Sequence, residues 1–247
     1  MVGDCKKIVL NGTVGTLALS NYETYVYIIG FNHNGATNTI DFGTFKTAAS
    51  GGKDIALIDA NYIKTSTDGT KWFSMNHSSN TNYGGWKNCD LRYDILGSTH
   101  AKGADANATT ITNPVANTLM AALPAELRAI LKPMTIYTDN TGDPNIVIAV
   151  TASVDYLPLL AEWEIQGART AAHSAEQQYQ SQYSYYSAGN SKVKYRHSAT
   201  SSTAVWNTRS TCVISANTTS FCVVNVSGNQ QSASSGASRG IAPIFRV

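Results

Sequence analysis

The chain has 247 residues, of which 43% are hydrophobic and only 14% charged, where about a quarter charged is ordinary for a globular domain. That length supports one large domain with a sizeable core or two small ones, and the net charge of +2 gives no electrostatic case for nucleic acid or an acidic membrane as partner. No stretch approaches the ~20 apolar residues of a membrane span, and the first seven residues lead into a strand-like segment, so the expectation is a protein made in a cytoplasm without its own export signal.

In chain order, residues 7–10 and 14–19 flank Asn11-Gly12, a pair that supplies the positive φ angles of a tight hairpin turn. Residues 25–31, 40–45 and 55–58 predict further strands, separated by a polar turn at 32–38 and the loop Ser50-Gly51-Gly52. Trp86, Cys89, Tyr93 and Leu96 follow one helix face, and Gly97 stops it. Residues 100–112 are small and polar and predict an exposed loop. Asn113-Pro114 starts a helix burying Leu119, Met120 and Leu123; Pro124 opens another carrying Leu127, Ile130 and Leu131, and Pro133 ends it.

Residues 134–137 and 146–150 predict a β pair across an oxygen-rich loop that includes Asp139, Asn140, Asp143 and Asn145. Calcium uses turns of this kind, but no second carboxylate motif accompanies it, so a plain turn is the reading and no metal ligand is assigned. Residues 154–160 predict an apolar strand, which Trp163 and Ile165 continue or close with a turn. Ser174-Ala175-Glu176-Gln177 has the form of a capping box, after which Tyr179, Tyr183 and Tyr186 share a helix face read as core. Residues 192–197 are basic and strand-like, placing Lys192, Lys194 and Arg196 on a solvated face.

Residues 206–247 interleave two sets. Trp206, Arg209, Val213, Phe221, Cys222, Val224, Gly228, Gly240, Ile241, Pro243 and Phe245 are apolar or geometrically special and read as structural. Asn207, Thr208, Ser215, Asn217, Thr218, Thr219, Asn225, Ser227, Asn229, Gln230, Gln231, Ser232, Ser234, Ser235 and Ser238 are short, polar and uncharged, and read as a ligand-binding surface of paratope-like chemistry. Through 221–227 the period is near two, directing Cys222, Val224 and Val226 to a core and Val223, Asn225 and Ser227 outward. Polar runs such as 229–238 also occur in disordered tails, but the apolar ending from Gly240 onward predicts a closing strand.

Trp206-Asn207-Thr208-Arg209-Ser210, Phe221-Cys222-x-Val224, Gly228 and Gly240-Ile241-Ala242-Pro243-Ile244-Phe245 together resemble an uncharacterised domain family of phage structural and Gram-positive surface proteins. Its C-terminal signature reads W-W-L-R-S-P, F-C-x-V, G, G-V-x-P-x-F, and the likeness reaches back to about Asp54. It implies a C-type-lectin-like α+β fold, shared with formylglycine-generating enzymes and the variable proteins of diversity-generating retroelements. A single domain over 1–247 would then carry a twisted antiparallel sheet, two or three helices and a loop-rich C-terminal face, with the hairpin region 1–50 packed on the last strand. Asn207, Thr208 and Thr211 replace the second Trp, the Leu and the Pro of the signature, and adenine-directed diversification tends to leave Asn, Ser and Thr at its targets. Asp143-Pro144-Asn145 is a loose echo of the sugar-binding calcium turn of C-type lectins.

The resemblance implies a phage virion protein, assembled in the bacterial cytoplasm and acting outside it, which binds a host-surface protein or glycan through residues 207–238. Its other partners would be virion proteins, with a homotrimer as one assembly, and neither nucleic acid nor membrane insertion is involved. A non-enzymatic decoration protein of capsid or tail is the rival reading, and a formylglycine-generating-type enzyme the third. No catalytic residue or cofactor is assigned. His33, His77, His100, His173 and His197 have no metal-ligand spacing, and Asp155, Glu162 and Glu164 read as surface or capping carboxylates. Cys212 and Cys222 read as reduced and buried, and Arg209 as a semi-buried group beside Trp206 that holds loops together.

Overall fold

The chain opens as an antiparallel hairpin of two long strands, β1 (Cys5–Val14) and β2 (Leu17–Phe31), in a computed structural model that describes residues 1–214 and 217–247. The turn lies at Gly15-Thr16, four residues beyond the expected one. Gly15 has φ +54°, and a Cβ there would stand 2.5 Å from the Lys71 carbonyl oxygen, so both conformation and space demand glycine. Asn11-Gly12 is instead a bulge within β1, with Gly12 at φ +120° and Asn11 Oδ1 accepting the Asn21 N–H at 2.6 Å. Positive φ serves a bulge as well as a turn, and the sequence signal does not separate the two.

Next come β3 (Ile40–Lys46) and the short β4 (Ile55–Ala56). β3 pairs with β2 on one side and with the last strand, β12 (Ile244–Arg246), on the other, giving the order β1-β2-β3-β12. The two ends of the chain thus share one sheet. β5 (Met134–Asp139) pairs antiparallel with β6 (Val150–Asp155), not with 146–150, where a 3-10 turn occupies Val147–Ala149. β7 (Lys194–Arg196) lies parallel to β4 and antiparallel to β8 (Ala199–Ala204). A fourth sheet runs β11-β10-β9, from β9 (Trp206–Thr211), β10 (Ser220–Val224) and β11 (Gln230–Ser234). The architecture is α+β and mostly antiparallel.

Helices are shorter and more numerous than expected: among the described residues α1 (Gly85–Asn88), α2 (Ala108–Thr112), α3 (Leu119–Ala122), α4 (Ala125–Arg128), α5 (Glu162–Gln166) and α6 (Ser184–Ser187) have four or five residues each. The face read from Trp86 is interrupted at Cys89, whose backbone is extended, and resumes as a π turn at Leu91–Ile95. α2 forms inside the segment read as loop, because Asn107 and Thr110 make a reciprocal cap. α3 starts at Thr118, whose hydroxyl accepts the Ala121 N–H, rather than at Asn113-Pro114. Ile130, assigned to a buried face, is 58% exposed. Residues 162–166, read as strand or turn, are α5, closed by Gly167 at φ +68°.

The expected Tyr helix is also divided. Ser174–Gln178 is a 3-10 turn capped by His173 Nδ1, Tyr183 and Tyr186 are buried around α6, and Tyr179 is exposed. The core joins the sheets through Tyr27, Phe45, Phe73, Trp86, Trp206 and Phe245, all fully buried. Lys194, expected on a solvated face, lies inside it. Its ammonium donates to the Tyr27 hydroxyl and the Thr44 carbonyl, each at 3.1 Å, with the Tyr27 and Trp206 rings 5.5 and 5.2 Å away. Desolvation pulls that ammonium down to about 8.

Candidate functional site

β9 is buried along its whole length, and this decides the roles of its residues. Trp206 donates its indole N–H to the Lys192 carbonyl at 3.1 Å, and Gly240 packs against it, where a Cβ would come within 2.7 Å of Ala56 Cβ. Arg209 does not stack on Trp206. It forms a bidentate pair with Glu164, 2.6 Å from Nη1 and 2.7 Å from Nη2, and Nη1 also donates to the Leu159 carbonyl at 2.7 Å. Burial pushes the Glu164 carboxyl up, but the Arg209 charge and hydrogen bonds outweigh it and hold the group below its ordinary value. The pair clamps α5 onto β9, and the bond to Leu159 ties in the segment before it.

Four positions read as ligand-binding are buried and used internally. Asn207 Nδ2 donates to the Phe73 carbonyl at 3.0 Å, and the Thr208 hydroxyl to the Cys222 carbonyl at 2.7 Å. The Ser238 hydroxyl donates to Asp59 at 2.8 Å, and that of Ser235 to Asn80 at 3.2 Å. Short polar side chains fit a buried strand when backbone carbonyls and carboxylates lie within reach, a need that sequence alone does not display. Ser215 lies outside the described residues.

The remaining polar positions form a band at the edge of the β11-β10-β9 sheet. Thr218, Thr219, Ser227, Asn229, Gln231 and Ser232 are exposed, and Asn217, Asn225, Gln230 and Ser234 half-buried. Pairing of Ser220 with Ser234 and of Val224 with Gln230 places Thr218 and Thr219 at one end of β11 and Ser227 and Asn229 at the other. Segment 229–238, which composition alone allows to be a disordered tail, is built on β11. Two members are fixed by local bonds: Asn225 Oδ1 accepts the N–H groups of Ser227 at 2.9 Å and Asn229 at 3.1 Å, and Asn217 Oδ1 accepts that of Thr219 at 2.8 Å. The predicted alternation fails in β10, where Val223 is as buried as Cys222 and Val224, whereas Val226 beyond the strand is 47% exposed. As the central strand, β10 is covered on both faces, and a period of two describes only a half-buried strand.

The carboxylates are not surface groups. Glu162 accepts N–H bonds from Thr170, Ala171 and Ala172, the shortest 2.6 Å, and Asp155 takes Arg92 Nε at 2.6 Å together with Trp86, Ser98 and Ser153. Burial raises Glu176 to about 7, although the Asp139 N–H and the Ser210 hydroxyl favour its ionised form. Such anchors are invisible in sequence, because an isolated Glu or Asp carries no sign of its partners.

Asp139 accepts the Thr141 and Gly142 N–H groups at 3.0 and 2.8 Å and the Thr211 hydroxyl at 2.5 Å, so its own turn and β9 occupy the carboxylate. Asp143 accepts the Asn145 N–H at 2.9 Å. No group of three potential metal-ligating side chains occurs among the described residues. Cys212 and Cys222 are free thiols packed with Ala171 and Ala172. The hydrogen bond from Cys222 lowers Cys212 to about 6 against the effect of burial, while burial raises Cys222.

The structure also has an apolar hollow of about 660 Å³ between the first sheet and the α3–α4 segment, floored by Ile8, Val26, Phe42 and Phe245. Comparison with known proteins finds no matching family model, no matching curated protein and no matching solved structure.

Proposed function

We propose that this chain is a phage virion protein of C-type-lectin-like fold that binds a host-surface ligand through the exposed polar band of residues 217–234. The observation that carries this reading is the band itself. Six exposed, uncharged side chains, Thr218, Thr219, Ser227, Asn229, Gln231 and Ser232, stand on a sheet whose other two strands are buried and clamped by the Arg209–Glu164 pair. Adaptable hydrogen-bonding groups on a rigid support suit recognition, because little order is lost on binding. The family resemblance of the Trp206, Arg209 and Gly240 motifs supplies the virion context and the fold name.

Retroelement diversification belongs to the same reading, with its targets restricted to the band, since Asn207 and Thr208 are enclosed. The rival decoration-protein reading draws on the exposed Ile130 beside the apolar hollow, a surface suited to a neighbouring virion subunit. Binding of the purified protein to host cells separates the two. Combined Asn229→Ala, Gln231→Ala and Ser232→Ala changes should lower cell binding at least tenfold while leaving the melting temperature in place. Full binding by that variant would favour decoration.

A further inference from the structure

Away from the polar band, a second hollow of about 420 Å³ is lined by Asn34, Tyr137, Gln178, Tyr179, Gln180 and Ser181. Its volume is at the small end of ligand pockets, which run ~300–1,000 Å³. None of its side chains is charged near neutral pH, so nothing there would neutralise a phosphate, a carboxylate or an ammonium group. A neutral ligand follows.

Tyr137 and Tyr179 stack with ring centroids 4.1 Å apart and planes 11° from parallel. Tyr137 covers one face of Tyr179, yet Tyr179 is 43% exposed, so aromatic surface remains open to the hollow. The polar groups have unused capacity. The Ser181 hydroxyl donates to Asn34 Oδ1 at 2.8 Å, which leaves the Asn34 amide N–H groups without a partner among the described residues. The Gln178 side chain is exposed and has none either. Gln180, only 6% exposed, donates to the Tyr137 carbonyl at 2.9 Å and to Glu176 at 3.2 Å, while its own Oε1 is a buried acceptor with no donor. That oxygen is enclosed, so the polar side chains open to the hollow are those of Asn34 and Gln178.

Asn34 sits in a defined turn. Its backbone sits at φ 52°, and the preceding His33 stacks on Tyr183 at 3.6 Å. A ligand matching the hollow needs a flat C–H face for the electron-rich tyrosine ring, hydroxyls that both donate and accept, and no charge. We propose that the hollow binds one neutral pyranose unit of a glycan, without a metal, on Tyr179 with Asn34 and Gln178 as its hydrogen-bonding partners. This site is separate from the 217–234 band and does not depend on the function assigned to it.

Saturation-transfer NMR of the full chain with a panel of free neutral hexoses, deoxyhexoses and N-acetylhexosamines tests the assignment. Transfer to the ring protons of at least one sugar is expected, with Tyr179→Ala and Tyr179→Leu weakening it at least tenfold and Tyr179→Phe retaining it. Gln178→Ala should weaken it several-fold, and Ser201→Ala, exposed and outside both sites, should not change it. Absence of transfer across the panel, or transfer undiminished in a folded Tyr179→Leu variant, would overturn the proposal. Loss in Gln231→Ala with retention in Tyr179→Leu would also overturn it, by moving the sugar to the band, and would leave the adhesion reading standing.

Discussion

Trp206 and Gln231 lie in the same C-terminal stretch and have opposite physical roles. Truncating the enclosed Trp206 to Ala removes indole packing and should cost ~3–5 kcal/mol, a large share of the ~5–15 kcal/mol available to a domain. Gln231→Ala should change stability by less than ~0.5 kcal/mol, since its side chain is exposed. Asn225→Ala differs from both, because the carboxamide accepts two turn N–H groups, and it should cost ~1 kcal/mol. Chemical denaturation of the three variants gives these differences directly.

Glu176 gives the stability a pH dependence. Its folded value of about 7 lies above the ordinary 4.5, so the folded state holds a proton that the unfolded state releases earlier. Stability from this group is fully present below pH 4.5 and is lost as pH rises to about 7, by ~3 kcal/mol in all. Glu176→Gln removes the titration. The variant should therefore gain on the native chain between pH 5 and pH 8, and a difference that stays constant across that range would show that Glu176 does not titrate as described.

At the scale of elements, the Asp139 turn has its carboxylate filled by two N–H groups and a β9 hydroxyl. Calcium should leave the melting temperature unchanged, because only ligands that favour the folded state raise it. Asp139→Ala should lower it by uncoupling the β5–β6 loop from β9. A calcium-dependent rise would assign the loop a cation.

What the sequence made legible follows from local physics. The strand at 40–45 and the extended backbone of 25–31, which continues β2 from Leu17 rather than standing as its own strand, were readable from their apolar and polar patterning, and Gly97 as a stop from its tolerance of positive φ, here +65°. Long helices were not readable correctly, because the spacing from Trp86 reports which side chains are buried and not whether the backbone stays helical between them. Cys89 is buried with an extended backbone. In the site, Trp206, Phe221, Cys222, Val224, Ile241 and Phe245 were legible as core and Val223 and Val226 were not, whereas Asn207, Thr208, Ser235 and Ser238 have the composition of a surface and the partners of an interior. Those partners, Phe73, Cys222, Asn80 and Asp59, are mostly more than a hundred residues away in the chain.

For the whole molecule, three buried or part-buried ion pairs tie distant segments: Arg92–Asp155, Arg209–Glu164 and Arg246–Asp41. They and the shared first sheet fix the ends of the chain and hold β9 and β10 rigid beneath the outer strand. If β9 and β10 support an edge that tolerates substitution, a mutational scan of positions 206–238 under two selections, folding and host-cell adsorption, will separate the two sets of residues. Substitutions at Trp206, Asn207, Thr208, Arg209 and Cys222 should fail the folding selection. Substitutions at Thr218, Thr219, Ser227, Asn229, Gln231 and Ser232 should pass it and shift adsorption. Adsorption that tracks folding alone, with no effect of the edge residues, would contradict that separation.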